Sequence, residues 1–128
     1  MRLPLSANPL QDLQWKNRIL IIQTDTTLKT ISLILKEQEN ALNDRDLITI
    51  NLSKKSTKLT NGVELSEKER AALRSKFKLT NSKKSQFILI GKDSGEKARQ
   101  SNTLNLQELF ALIDTMPMRK AEIRNKKQ

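Results

Sequence analysis

Residues 18–23 read RILIIQ, and the apolar run Ile19–Ile22 within them decides the fold. A short, continuous apolar run is typical of a central strand that is buried on both faces. Residues 24–27 then supply side chains that favour a helix N-cap, and the apolar residues that follow recur at steps of three and four. The sequence therefore predicts a strand that leads directly into a helix over residues 26–41.

A second strand and a second helix follow this unit. Leu47–Leu52 alternates apolar and polar side chains, which predicts a strand parallel to the first, joined to it by a right-handed crossover. Residues 53–65 are polar and are expected to form a loop. Ser66 and Glu69 match a capping box, in which each side chain satisfies a backbone donor of the other, and this predicts a helix over residues 67–77.

The second half of the chain predicts a hairpin and a last helix. Gln86–Ile90 is apolar and predicts a third strand, Gly91–Gly95 reads as a turn, and residues 96–100 return as an exposed, basic edge strand. Apolar side chains in Leu106–Ile113 have the spacing of an amphipathic helix, which Pro117 is expected to end or kink.

The complete order of elements, β-α-β-α-β-β-α, predicts an α/β domain with a four-stranded mixed sheet and flanking helices. This is the order of the thioredoxin fold, so we predict a thioredoxin-like domain. The 128 residues fit one domain. We assign residues 1–14 to an irregular N-terminal lead-in, 15–120 to the thioredoxin-like domain, and 121–128 to a basic C-terminal tail that is expected to fray.

The chain contains no Cys and no His. This excludes thiolate chemistry, and with it thiol oxidoreductase and thiol peroxidase activity, and it removes Cys/His zinc sites. We expect neither a cofactor nor a metal ion. An enzyme of this composition would need a strongly shifted carboxylate or Lys as its acid or base, and Asp93 and Asp114 are the candidates.

The formal charge of +10 is concentrated in the second half of the chain, where residues 65–128 hold 15 of the 24 Lys and Arg against 7 of the 14 Asp and Glu. Such a field attracts an acidic protein or a polyanion, nucleic acid included, or it serves only solubility. No apolar run reaches the ~18–20 residues of a membrane span. A periplasmic or secreted location is expected if a leader was removed, and a cytoplasmic one if Met1 is the native start.

The position of the redox motif in thioredoxins, between the first strand and the first helix, is occupied here by Thr24–Thr27. A threonine hydroxyl has far too high a pKa to replace a thiolate there. Leu79–Gln86 contains no Pro, although such enzymes place a cis-proline before the third strand. Capping of the helix is the simpler role for these threonines.

Four basic residues are candidates for binding an anion or an acidic partner: Lys92, Lys97, Arg99 and Arg119. The alternative for the first three is a solvated edge strand whose charges discourage aggregation. For Arg119 the alternative is an ion pair with Asp114 that fixes how the chain leaves the last helix. A structural motif surrounds the candidates and comprises Gly91, Asp93, Gly95, Asp114, Met116, Pro117 and Met118.

Several stretches resemble the DUDES family, whose bacterial members are small single-domain proteins and whose vertebrate relatives include the sushi-repeat-containing protein. The resemblance rests on Asn8–Leu10, Trp15–Leu20, Arg45–Leu47, Ile90–Lys97, and Ile113–Arg119 followed by Glu122. It implies a thioredoxin-like or peroxiredoxin-like fold, usually outside the cytoplasm, without an established activity or a catalytic residue to carry over. Ser94 departs from the family at a position where Gly is common.

The first functional hypothesis is therefore a non-catalytic thioredoxin-like binding module that engages an acidic partner through residues 92–99 and Arg119. The alternative is sequence-independent nucleic-acid binding through the basic C-terminal half, although the chain has no aromatic pair on a strand for base stacking. Carboxylate catalysis through Asp93 or Asp114 is the third hypothesis. The sequence favours no particular oligomeric state.

Overall fold

The computed structural model describes residues 13–24, 28–52, 62–63, 66–79 and 85–126. The strands in this part of the chain are β1 (Arg18–Gln23), β2 (Leu47–Asn51), β3 (Gly62–Val63), β4 (Gln86–Ile90) and β5 (Glu96–Ser101). The helices are α1 (Leu28–Glu37), α2 (Glu39–Asp44), α3 (Glu67–Lys76), α4 (Leu106–Asp114) and α5 (Pro117–Lys126).

The strands form one mixed sheet in the order β3-β2-β1-β4-β5. The strands β1, β2 and β3 are parallel to one another, whereas β4 runs antiparallel to both β1 and β5. The predicted α/β architecture, a mixed sheet with flanking helices, is confirmed. Because β1 lies at the centre, every residue of the Ile19–Ile22 run is buried, as an all-apolar run requires.

Two apolar cores lie on opposite faces of the sheet because successive strand residues point in opposite directions. Leu20 and Ile22 of β1 belong to the core shared with α1, α2 and α4. Ile19 and Ile21 belong to the core that is shared with α3, through Leu73.

Several predicted boundaries change. The helix predicted over 26–41 is two helices, α1 and α2, because Gln38 leaves the helical conformation at φ −104°, ψ 17°. Within the stretch expected as a loop, Gly62–Val63 adds the short strand β3 beside β2. The capping box is confirmed, since the Ser66 hydroxyl accepts from the Glu69 backbone and the Glu69 carboxylate accepts from the Ser66 backbone.

The C-terminal region differs most from expectation. The helix α4 ends before Pro117, as predicted, but Pro117 then occupies the first position of α5. Pro is well tolerated there, because a backbone N–H in the first turn of a helix has no hydrogen-bond partner within the helix, so the N–H that Pro lacks is not missed. Residues 121–126, expected as a frayed tail, continue this helix. Of the expected N-terminal lead-in, residues 1–14, only the last two lie within the described residues.

The turn between β4 and β5 forms as predicted, but with a different residue in the left-handed conformation. The Gly91 backbone N–H donates to the Gly95 carbonyl at 2.9 Å, which closes the turn. Neither glycine has a positive φ, whereas Ser94 adopts φ 71°. A Cβ at Gly91 would lie 2.6 Å from Cε of Lys97, so the flexible end of that lysine side chain would have to move aside.

Candidate functional site

Arg119, in the first turn of α5, is almost fully buried, at 3% exposure, and its guanidinium donates hydrogen bonds to the end of α2 and the end of α4. Its Nη2 donates to the Asp44 carboxylate at 2.6 Å and its Nη1 to the Asp44 carbonyl at 2.8 Å. Its Nε donates to Asp114 at 3.0 Å. The ion pair between Asp114 and Arg119, one of the two roles considered for Arg119, is therefore present.

Lys92 is also buried, and it points away from the other basic residues of the hairpin. Its ammonium donates to Asp46, before β2, at 2.9 Å and to Glu122 of α5 at 2.8 Å. Glu122 in turn accepts two hydrogen bonds, each 3.1 Å long, from Arg18 at the start of β1. Arg18 is only 1% exposed, and it also donates to the Arg45 carbonyl at 2.8 Å.

Arg45 completes this arrangement between α2 and α4. Its guanidinium forms two hydrogen bonds to Asp114, at 3.1 and 2.8 Å, and lies 4.4 Å from the centre of the Phe110 ring. We call the eight residues joined in this way the ion-pair cluster: Arg18, Arg45, Lys92, Arg119, Asp44, Asp46, Asp114 and Glu122. The cluster has four cations and four carboxylates, so it is electrically neutral overall.

The pKa values of two carboxyl groups in the cluster, Glu122 and Asp114, are lowered by their cationic partners. Burial raises the pKa of Glu122, but the hydrogen bonds from Arg18 and Lys92 outweigh it and hold that pKa below its ordinary value. The pKa of Asp114 is lowered in the same way, against burial, by two arginines. An external anion could reach these cations only by displacing a carboxylate, so the cluster acts as a fastening for α5.

The two remaining candidates lie on β5 and are exposed. Lys97 donates to the Asp93 carboxylate at 2.8 Å, and this bond, together with the backbone N–H of Gly95, lowers the pKa of Asp93. Arg99 donates to Glu96 at 2.8 Å and to the Phe77 carbonyl at 2.8 Å. The register between β4 and β5 shifts at this point, since Leu89 pairs with Ala98 and Ile90 with Glu96, which leaves Lys97 as an extra residue of β5. The candidates thus form two separate sets: Lys92 and Arg119 both contact Glu122, whereas Lys97 and Arg99 lie on β5.

The three residues Met116, Pro117 and Met118 differ in how far they are buried. Met116 is half-buried and packs against the core that contains Phe110. Pro117 is exposed, and Met118 is 41% exposed. Met116 of the predicted structural motif thus contributes to the core, whereas Met118 does not.

The place where thioredoxins hold their redox motif contains a pair of hydroxyls. Thr24 follows β1 and Ser85 precedes β4, and their Oγ atoms lie 2.6 Å apart. The fold thus brings together the two segments that we compared with a redox site, and neither carries a thiol because the chain has no Cys. Asp25, Thr26 and Thr27 lie outside the described residues.

Five of the eight residues of the ion-pair cluster, Asp44 among them, were not among the predicted site residues. Arg18, Arg45, Asp46 and Glu122 were noticed only because they stand in stretches that resemble a family. A physical signal was available for Arg18: an Arg at the start of a buried apolar strand needs a carboxylate partner if it is buried too. In the described part of the chain, no group of three or more acidic side chains is placed to hold a metal ion. No helix there is long and apolar enough to cross a membrane.

These features define a Cys-free domain of the thioredoxin fold, and comparison with solved structures agrees. The reduced 2-Cys peroxiredoxin of Plasmodium vivax superimposes with a TM-score of 0.63 at 12% identity, over 88% of this chain and 84% of the other. Thioredoxin peroxidase I of Plasmodium yoelii gives 0.59 at 18% identity, over 88% and 79%. The mitochondrial 2-Cys peroxiredoxin of Plasmodium falciparum gives 0.56 at 11%, over 83% and 79%. At these identities the likeness establishes the fold alone.

Residues 9–122 match the family described as Domain of unknown function (DUF4174), and the chain belongs to that family. No curated protein matches the chain significantly. The similarity to the solved peroxiredoxin structures confirms the predicted thioredoxin-like fold. The resemblance to the DUDES family is not confirmed by name and stays a prediction.

Proposed function

We propose that this domain is a non-catalytic binding module that engages an acidic partner through two exposed cations of β5, Lys97 and Arg99. The observation that carries the proposal is the neutrality of the ion-pair cluster. Its four cations are balanced by four carboxylates, so the net charge of +10 belongs to the rest of the chain. A field of this size outside the cluster attracts anionic partners.

Lys97 and Arg99 are the contact residues of this proposal. Each is paired with an exposed carboxylate, and such surface pairs contribute only about 0–1 kcal/mol. An acidic partner can therefore exchange with Asp93 or Glu96 at small cost. Lys92 and Arg119 act indirectly in this proposal, because their ion pairs hold α5 in place. The resemblance to the DUDES family adds the expectation of a module without catalytic residues.

A second candidate function is sequence-independent nucleic-acid binding, which a different surface favours. Lys120 and Arg124 are exposed on α5, and no carboxylate contacts either of them in the part of the chain that the structure describes. With Pro117 and Ile123 they line a shallow groove of about 480 Å³. Unpaired cations on one helix face are available to phosphates, and binding of that kind falls steeply with salt.

The experiment separates the two surfaces by charge reversal. We would titrate a polyglutamate peptide and a short single-stranded DNA into the full chain, at low and physiological salt. The first variant carries Lys97→Glu and Arg99→Glu, and the second carries Lys120→Glu and Arg124→Glu. The control carries K36E and K68E, which change the net charge equally at exposed sites elsewhere.

If the proposal is correct, the first variant weakens peptide binding by about tenfold or more, whereas the control changes it little. Weakening by the second variant alone, with binding to DNA erased by salt, would favour the nucleic-acid function. Equal weakening by the first variant and the control would show that only net charge matters, and the proposed site on β5 would be rejected.

A further inference from the structure

A small pocket lies where the redox site of the fold is expected, and it does not belong to either charged surface. Its volume is about 190 Å³. Its floor lies between Thr24, directly after β1, and Ser85, directly before β4, and one wall is formed by Thr30, Ile31 and Ile34 of α1. The loop between β5 and α4 closes the opposite side through Asn102, Thr103 and Leu104.

The floor of the pocket combines buried hydroxyls with apolar surface. Thr24 is 7% exposed and Ser85 is 8% exposed, and each hydroxyl can donate one hydrogen bond and accept two. Their mutual bond therefore leaves hydrogen-bonding capacity at the Ser85 hydroxyl. The buried side chains of Phe87 and Leu104 lie beside the pair, and Ile31 adds apolar surface from α1.

The mouth of the pocket is polar and held open by the backbone. Thr30, Asn102 and Thr103 are exposed there. Asn102 adopts φ 72°, and its backbone N–H donates to the Ser85 carbonyl at 2.8 Å. Asn tolerates this left-handed conformation better than most residues, and the hydrogen bond holds the loop against the segment that leads into β4.

None of the described lining residues is ionisable. A charged ligand would lose its hydration in this pocket without gaining an ion pair from any of these described residues, whereas an uncharged polar group can exchange water for the hydroxyls. A volume of about 190 Å³ is slightly larger than the cavity of about 150 Å³ that holds benzene in another protein. One ring with a short polar substituent fills such a space.

We infer that this pocket is a binding site for a small, uncharged, single-ring molecule that carries a hydroxyl or amide group. The polar group bonds to the Ser85 hydroxyl, and the ring packs against Phe87 and Leu104. The site is independent of the acidic partner proposed above, because it shares no residue with β5. The pocket would thus bind a ligand, without redox chemistry, at the position where redox-active thioredoxin folds hold a thiol.

The test uses benzyl alcohol, benzamide and benzoate as probes, titrated into the full chain and followed through backbone amide NMR shifts. Benzamide and benzoate have nearly the same shape and differ in charge. We expect benzyl alcohol and benzamide to shift the amides of Ser85, Thr103 and Leu104, and benzoate to bind at least about tenfold more weakly. Equal binding of benzoate and benzamide would overturn the assignment, as would the absence of saturable shifts with any probe.

Two variants identify the groups responsible. Ser85→Ala removes the hydroxyl and keeps the space, so the affinity for benzyl alcohol should fall by about 3–10-fold. Thr30→Phe, at an exposed position on the mouth, should obstruct the pocket and abolish binding without disturbing the core. The control is Ser75→Ala, an exposed serine on α3 outside the pocket. Undiminished affinity in either pocket variant would refute the site, and Thr30→Phe tests it even if Ser85→Ala fails to fold.

Discussion

Replacing Glu122 by Gln removes one negative charge from the ion-pair cluster while it preserves the shape of the side chain. Glu122 accepts two hydrogen bonds from Arg18 and one from Lys92. Both cations are buried, with side-chain exposures of 1% and 8%. Lys92 retains its pair with Asp46, but among the described residues Arg18 is left without a carboxylate partner, although it keeps its bond to the Arg45 carbonyl. The substitution therefore leaves a buried guanidinium without its carboxylate.

The magnitude follows from these contacts. Removing one partner of a fully buried ion pair costs about 3–5 kcal/mol. The Gln carbonyl still accepts one hydrogen bond and the Glu122 side chain is 20% exposed, so we expect the smaller value of about 2–3 kcal/mol. With a urea m-value of about 2 kcal/mol/M, the unfolding midpoint should fall by about 1–1.5 M.

Urea unfolding at neutral pH measures this shift of the midpoint. The unfolding is monitored by far-UV circular dichroism and by the fluorescence of Trp15, the only tryptophan. Trp15 reports on the same end of the sheet, because its backbone N–H donates to the Lys92 carbonyl. The control is Glu37→Gln, an exposed carboxylate on α1 outside the cluster, which should change the free energy of unfolding by less than about 0.5 kcal/mol. If Glu122→Gln shifts the midpoint no more than Glu37→Gln does, the cluster does not fasten α5.

Two further predictions concern pH and helix capping. The pKa values of Glu122 and Asp114 are lowered in the folded state, so the stability that they contribute is complete above their unfolded values of about 4.3 and 3.9 and is lost as the pH falls through the folded values. Wild-type protein should therefore lose more stability between neutral and acidic pH than Glu122→Gln does, and parallel pH profiles of the free energy of unfolding would contradict this. Ser66→Ala should lower the free energy of unfolding by about 1 kcal/mol, because it removes the N-cap of α3. Ser75→Ala, an exposed change in the same helix, is the control, and equal urea midpoints for the two variants would show that the cap contributes nothing.

Local patterns in the sequence were sufficient to predict most of the fold. The run Ile19–Ile22 predicts a central strand, and it is central because a strand without polar positions must be covered on both faces. Ser66 and Glu69 mark the start of α3 because a capping box is a contact between residues only three apart. Features of this kind are contained within one turn or one strand, so the sequence displays them directly.

Features that depend on distant partners were missed. Gly62–Val63 is a strand only because β2 is available to pair with it, and two residues show no periodicity. Gln38 interrupts a helix without the Gly or Pro that would signal a break. Lys92 was predicted as a free cation of the hairpin, but its two carboxylate partners come from Asp46 and Glu122, neither of which adjoins it in sequence. Which cations remain exposed is therefore a property of the folded chain.

The pairing of Arg18 with Glu122 also has an evolutionary consequence. The two positions are 104 residues apart, and each depends on the charge of the other. A chain that lost the carboxylate at position 122 would carry an uncompensated cation at position 18, so the two positions should be inherited and replaced together. Homologues in which both have become apolar are expected, since a well-packed apolar pair can replace a buried ion pair without loss of stability. Homologues that retain only one of the two charges should be rare. Correlated substitution at positions 18 and 122 would show which pair of side chains holds α5 in each lineage.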